Sequence, residues 1–151
     1  MIDALERAAG RPVSRETLAL LEAFVERLKT ANQTQNLVAA STLDAIWERH
    51  ILDSAQLVRF EPSAGASWVD IGSGAGLPGI VIAALVEGPV TLVEPRRLRA
   101  AFLEETVAVS GLADRVSVLT SKIENVRGKF DLITARAVDQ GGDDDAGQAG
   151  A

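Results

Sequence analysis

Apolar positions follow two different rhythms along this chain. In residues 1–61 they recur at helical spacing; between residues 67 and 138 they fall in short blocks separated by helical stretches. Leu18, Leu21, Val25 and Leu28 form a stripe behind Ser14, whose side chain suits a helix N-cap. Asn32-Gln33-Thr34-Gln35-Asn36 interrupts that stripe with turn-favouring residues. A second helix is predicted to begin after Ser41 or Thr42. Its apolar stripe is Leu43, Ile46, Trp47, Ile51, Leu57 and Val58, and Pro62 lies just past its end.

The second rhythm predicts strands at Trp68-Val69-Asp70-Ile71, Val90-Thr91-Leu92-Val93, Val116-Ser117-Val118-Leu119 and Phe130-Asp131-Leu132-Ile133-Thr134. Helices are predicted over residues 78–86 and 98–109, the first with Pro78 in its opening turn and the second stopped by Gly111. The βαβαβ order implies an α/β fold with a parallel sheet and right-handed crossovers. Residues 1–63 are expected to pack as a helical segment on a cofactor-binding α/β region of residues 64–138, the two forming one unit. Residues 139–151 are Gly, Asp, Gln and Ala without a hydrophobic period, and are expected to be a disordered acidic tail. There is no internal repeat.

Composition narrows the function classes. The 151 residues suffice for one core, and no apolar run approaches the roughly 20 residues of a membrane span. The opening Met1-Ile2-Asp3-Ala4-Leu5-Glu6 does not resemble a signal peptide, so a cytoplasmic protein is expected. The absence of cysteine excludes disulfides, thiolate zinc sites and a cysteine nucleophile; no metal site is expected. The net charge of −6 opposes a broad nucleic-acid-binding face. However, Asp139, Asp143, Asp144 and Asp145 all lie in the last segment, and Arg96, Arg97 and Arg99 leave room for a local basic patch.

The most informative stretch is Asp70-Ile71-Gly72-Ser73-Gly74-Ala75-Gly76-Leu77-Pro78-Gly79. Glycines between a strand and a helix allow a sharp turn and close approach of backbone to a ligand, at the sheet edge where α/β proteins bind theirs. Two frames fit. Gly74-Ala75-Gly76-Leu77-Pro78-Gly79 matches the dinucleotide pattern G-x-G-x-x-G, with Glu94 about 20 residues on. The frame Asp70-x-Gly72-x-Gly74-x-Gly76 puts an acid at the strand end and alternating glycines after it, which resembles the first motif of class I methyltransferases. The second frame is favoured because the strand ends at Asp70-Ile71, making Gly72 the first glycine of the turn. Glu94, at the end of the second strand, suits ribose hydroxyls in either frame.

Further segments resemble one family, the bacterial 16S rRNA guanine-N7 methyltransferases known as RsmG or GidB. They are Arg49-His50-Ile51-Leu52-Asp53-Ser54, the glycine loop through Ile80, Ala101-Phe102-Leu103-Glu104-Glu105, and Phe130-Asp131-Leu132-Ile133-Thr134-Ala135-Arg136-Ala137-Val138. The resemblance covers residues 18–138. It implies a class I, Rossmann-like fold with N-terminal helices, S-adenosylmethionine as cofactor, and 16S rRNA or the small ribosomal subunit as partner of a monomeric enzyme. It also implies that Gly72 and Leu77 line the cofactor pocket, that Ile123 and Glu124 flank the adenine, and that Arg136 stands at the pocket mouth. Asp70, Gly74, Gly76 and Glu94 complete the expected cofactor set. No catalytic residue is assigned beyond Arg136, because attack by guanine N7 needs no general base.

The chain also departs from the family. No tryptophan precedes the asparagine in Ala31-Asn32-Gln33-Thr34-Gln35-Asn36-Leu37-Val38, and Val38 replaces the usual threonine. Family members continue past Ala135-Arg136-Ala137-Val138 into further helices and strands, so the last strands of the sheet are expected to be missing. Two other readings stand beside the methyltransferase: an NAD(P)-dependent oxidoreductase, and a truncated, non-catalytic cofactor-binding remnant. His50, the only histidine, reads as a packed or capping residue. The Arg96, Arg97, Arg99 cluster reads equally as a solvated face or a phosphate contact. Lys122 is a candidate RNA contact, and Trp47 and Trp68 read as core.

Overall fold

The structure, a computed structural model, describes residues 1–136. The expected tail at residues 139–151, and Ala137-Val138 before it, lie outside the described residues.

Helix α1 spans Ile2–Ala9 and stops at Gly10, which takes a left-handed conformation. Helix α2 spans Arg15–Ala31, and the Ser14 side chain accepts from the Thr17 amide as its cap. Its buried side chains are Leu21, Phe24, Val25 and Leu28. The single helix predicted after Ser41 or Thr42 is instead broken. Helix α3 starts earlier, at Ala40–Asp44, a π-helical turn follows over Ile46–Ile51, α4 spans Leu52–Gln56, and a 3-10 turn closes it at Leu57–Phe60. Packing accounts for the break. Ile46 and Ile51 are five positions apart, which a regular helix would splay to different faces; the wider turn keeps both buried.

Strand β1 is Trp68–Ile71, β2 is Val90–Val93 and β3 is Val116–Leu119, each as predicted. Strand β4 is Leu132–Ala135, two residues later in starting than the predicted block at 130–134. Asp131 explains the shift: its carboxylate accepts from the Ser67 amide at 2.8 Å and fixes a turn ahead of the strand. The helices joining the first three strands are α5, Gly79–Leu85, and α6, Arg97–Val109. Both start within a residue of the prediction. Beyond α6, the Leu112 amide bonds to the Val107 carbonyl and the Gly111 amide to the Ala108 carbonyl, while Gly111 turns left-handed. This is the glycine stop expected from the sequence.

Among the described residues the sheet is four-stranded and parallel in the order β3-β2-β1-β4. One buried cluster joins Leu5 of α1, Phe24 and Leu28 of α2 and Ile51 to Trp68, Leu92 and Val116 on the sheet. The N-terminal helices therefore share one core with the α/β part, because a small chain must bury its apolar stripes somewhere. Trp68 is fully buried and Trp47 packs against the cluster. Strand β4 is an edge among the described residues, with Ile133 exposed. No helix among the described residues is long and apolar enough to cross a membrane.

Candidate cofactor crevice

The candidate crevice is the edge where β1 ends, the place at which parallel α/β sheets bind their ligands. Gly72, Gly74 and Gly76 all have positive φ, at 70°, 53° and 98°. Residues with a Cβ rarely adopt that backbone, so glycine at alternate positions is what permits the loop. A Cβ at Gly72 would meet nothing within 4 Å, which leaves the backbone there open to a ligand. At Gly76, besides its backbone angle, and at Gly79 packing also demands glycine. A Cβ at Gly76 would lie 2.7 Å from Ile80, and one at Gly79 would lie 2.5 Å from Leu92 Cδ2 and 2.6 Å from Asp70 Oδ2.

Two buried carboxylates flank the loop. Glu94, 3% exposed just beyond β2, accepts from the Gly74 amide at 2.9 Å and from the Arg96 amide at 2.8 Å. It holds the glycine loop and the start of α6 together, and its remaining lone pairs can accept from a ribose diol. Asp70, 1% exposed, accepts from the Thr134 hydroxyl at 2.9 Å through Oδ1. Oδ2 has no hydrogen-bond partner among the described residues; the Gly79 backbone exerts a favourable pull without meeting hydrogen-bond geometry. Burial pushes the Asp70 carboxyl up to about 6. The Thr134 hydrogen bond opposes that rise most, the nearby Ser73 hydroxyl and Gly79 amide oppose it further, and the Glu94 charge adds to it.

The other predicted positions spread along the same edge of the sheet. Leu77 is 4% exposed and its side chain joins the core, so it offers the crevice its backbone. Ile123 and Glu124 lie on an exposed 3-10 turn after β3, and the Ser121 amide ties that end to the Glu94 carbonyl. Arg136 follows β4, whose Ala135 pairs with Ile71 of β1. Glu94 and Arg136 thus stand on opposite sides of Gly72, one strand away each.

Three residues outside the predicted set complete the arrangement. Thr134 and Ser73 steady Asp70 and its strand end. His50, on the π-helical turn, meets Arg136: the guanidinium donates to His50 Nδ1 at 2.6 Å. Only the β4 register could have shown Thr134 facing Asp70, and no local pattern links residues 50 and 136. The basic cluster begins α6 beside Glu94, with Arg97 exposed and Arg99 donating to the Asn36 carbonyl. A separate open groove of about 600 Å³ runs between α2 and α6, lined by Arg27, Thr30, Leu98 and Phe102 among others. It contains none of the expected cofactor residues.

Residues 17–143 match the family described as GidB, rRNA small subunit methyltransferase G. The chain belongs to that family. Ribosomal RNA small subunit methyltransferase G of Zymomonas mobilis is 48% identical over 134 residues, covering 83% of this chain and 60% of the relative. Its namesake in Sphingopyxis alaskensis is 50% identical over 114 residues, covering 75% and 48%. The chain therefore spans about half to three fifths of the length of these members of the GidB family. Among solved structures, a putative O-methyltransferase from Klebsiella pneumoniae matches 97% of this chain and 63% of its own at a TM-score of 0.57 and 20% identity. The Bacillus cereus O-methyltransferase in complex with SAH matches 83% and 59% at 0.56 and 23%. These likenesses carry the fold: a class I, Rossmann-like α/β domain with helices ahead of its first strand.

Proposed function

We propose that this chain binds S-adenosylmethionine along the edge formed by Glu94, Gly72 and Arg136, and that it methylates N7 of a guanine in 16S rRNA of the small ribosomal subunit. The observation that carries the reading is the left-handed Gly72-x-Gly74-x-Gly76 loop held by buried Glu94, in a chain of the GidB family. The open backbone at Gly72 and the free lone pairs of Glu94 fit an adenosyl ligand. The nicotinamide frame is disfavoured because the first glycine of the turn is Gly72, directly after β1.

When bound, S-adenosylmethionine supplies a methyl group made electrophilic by its sulfonium. The residues present then have a positioning task. Glu94 would accept from the ribose, Ile123 and Glu124 would flank the adenine, and Arg136 would receive the amino-acid carboxylate through its planar fork. Guanine N7 carries an in-plane lone pair and no proton, so its attack on the methyl carbon requires alignment, not a base. Carboxylates near the crevice would favour the positive charge that methylation places on the purine. Arg97 and Lys122, both exposed, are candidates for phosphate contacts. The same reading makes the protein a cytoplasmic monomer.

The test is a calorimetric titration with S-adenosylmethionine, followed by transfer of labelled methyl to under-methylated small-subunit RNA. Saturable one-to-one binding and labelled RNA are expected. A folded chain that binds NADH and not S-adenosylmethionine would overturn the proposal. Binding without transfer would leave a cofactor-binding remnant.

A further inference from the structure

His50 and Arg136 are separated by 86 positions, yet the fold brings them to 2.6 Å. We propose that His50 is a positioning residue. Its Nδ1 holds the Arg136 guanidinium at the mouth of the crevice, so the N-terminal helices complete a site whose other parts belong to the sheet. The inference rests on the reading above, in which Arg136 receives the carboxylate of S-adenosylmethionine.

Placement carries the argument. Neighbouring strands lie roughly 5 Å apart, so the ends of β2 and β4 stand about 10 Å apart with β1 between them. A ligand whose ribose meets Glu94 extends its amino-acid end past Gly72 toward β4, where Arg136 stands. Arg136 is exposed and follows the last paired residue of β4, an edge strand among the described residues. A long side chain there loses rotamer freedom on binding unless something holds it beforehand. His50 supplies that hold. It sits on the π-helical turn, anchored by buried Ile46 and Ile51 on either side. Such turns re-aim side chains that a regular helix would direct elsewhere.

The contact requires a lone pair on Nδ1, and hence a neutral imidazole with its proton on Nε2. The surroundings favour that form. Partial burial and the Arg136 charge lower the His50 pKa, Arg49 adds to the lowering, and Asp53 opposes it. These are the charged groups that face the ring from its own helical stretch and from β4 among the described residues. Protonation of His50 removes the acceptor and places two cations together, which releases Arg136.

The lone histidine makes the contact measurable without ligand. Its imidazole resonance in an NMR titration is unambiguous, and Arg136→Ala is expected to raise its pKa. An unchanged pKa would overturn the contact. The functional arm titrates the chain with S-adenosylmethionine and with methylthioadenosine, which lacks the amino-acid carboxylate. His50→Ala is expected to weaken S-adenosylmethionine by roughly three- to tenfold, below the full value of a charge-assisted bond because the pair is exposed. Methylthioadenosine binding should not change. His50→Gln, which retains an acceptor, should restore affinity. Between about pH 8 and pH 5 the wild type should lose more affinity for S-adenosylmethionine, relative to methylthioadenosine, than His50→Gln does, because the variant keeps the titration of Asp70 and lacks that of His50. Parallel profiles of the two proteins would overturn the role of His50. Equal weakening of both ligands, or none of either, in His50→Ala would overturn the positioning role. A wild type that binds neither ligand would overturn the proposed function as well.

Discussion

The Thr134 hydroxyl donates to Asp70 Oδ1 at 2.9 Å, tying the strand that enters the glycine loop to its neighbour at the sheet edge. The bond joins the residues that pair directly across β1 and β4, so it depends on that register. It also supplies the hydrogen bond that most favours ionisation of a carboxyl raised to about 6 by burial. Thr134→Val keeps the shape and β-branching and removes the donor. Stability should fall by about 1–3 kcal/mol at pH 8, where Asp70 is ionised, and by less at pH 5. Urea unfolding at the two pH values checks the difference.

Asp70 itself makes stability depend on pH in an unusual direction. Its folded pKa of about 6 lies above the 3.8 of the free side chain, so the folded state binds the extra proton between those values. Stability from this group is therefore lost as pH rises through that window, by about 3 kcal/mol at most. Asp70→Asn should remove the dependence and be more stable than wild type above pH 6. Melting curves of both proteins from pH 4 to pH 8 measure it; parallel curves would contradict the assignment. A stable Asp70→Asn variant that binds S-adenosylmethionine poorly would show the ionisable carboxyl serving the site at a cost to the fold.

Glu94 accepts from two backbone amides with its two oxygens, so even an isosteric change is disruptive. In Glu94→Gln one amide nitrogen must face a backbone N–H. A stability loss of about 1–3 kcal/mol is expected, with S-adenosylmethionine affinity lowered at least about tenfold. Calorimetric unfolding and ligand titration on the same sample separate the two effects. Unchanged affinity would remove Glu94 from the cofactor site.

Gly79 begins α5 with ordinary backbone angles, and space alone forbids a side chain there. Gly79→Ala would drive a methyl group against Leu92 and Asp70 Oδ2. Overpacking of this kind costs about 1–3 kcal/mol. Gly72→Ala meets no neighbour and is opposed by its φ of 70°. It should lose cofactor affinity more than stability, because its methyl group would occupy the open face of the loop. Paired melting and titration data distinguish these two glycines.

Residue type and spacing account for the local pattern. Three of the four strands, the cap at Ser14, the stop at Gly111 and the glycine loop follow from residue type and spacing, because those features depend on near neighbours. Glu94 was legible for the same reason, standing at the end of a readable strand. Tertiary structure decided what distance in the chain conceals. The helix expected after Ser41 or Thr42 gave way to a π-helical turn because Ile46 and Ile51 must reach one core. β4 began late because Asp131 was taken up by Ser67. Leu77 turned its side chain inward, and His50 met Arg136 across 86 positions. Periodicity records which face a residue presents, whereas partners across a sheet or between layers are fixed only when strand register and helix packing are.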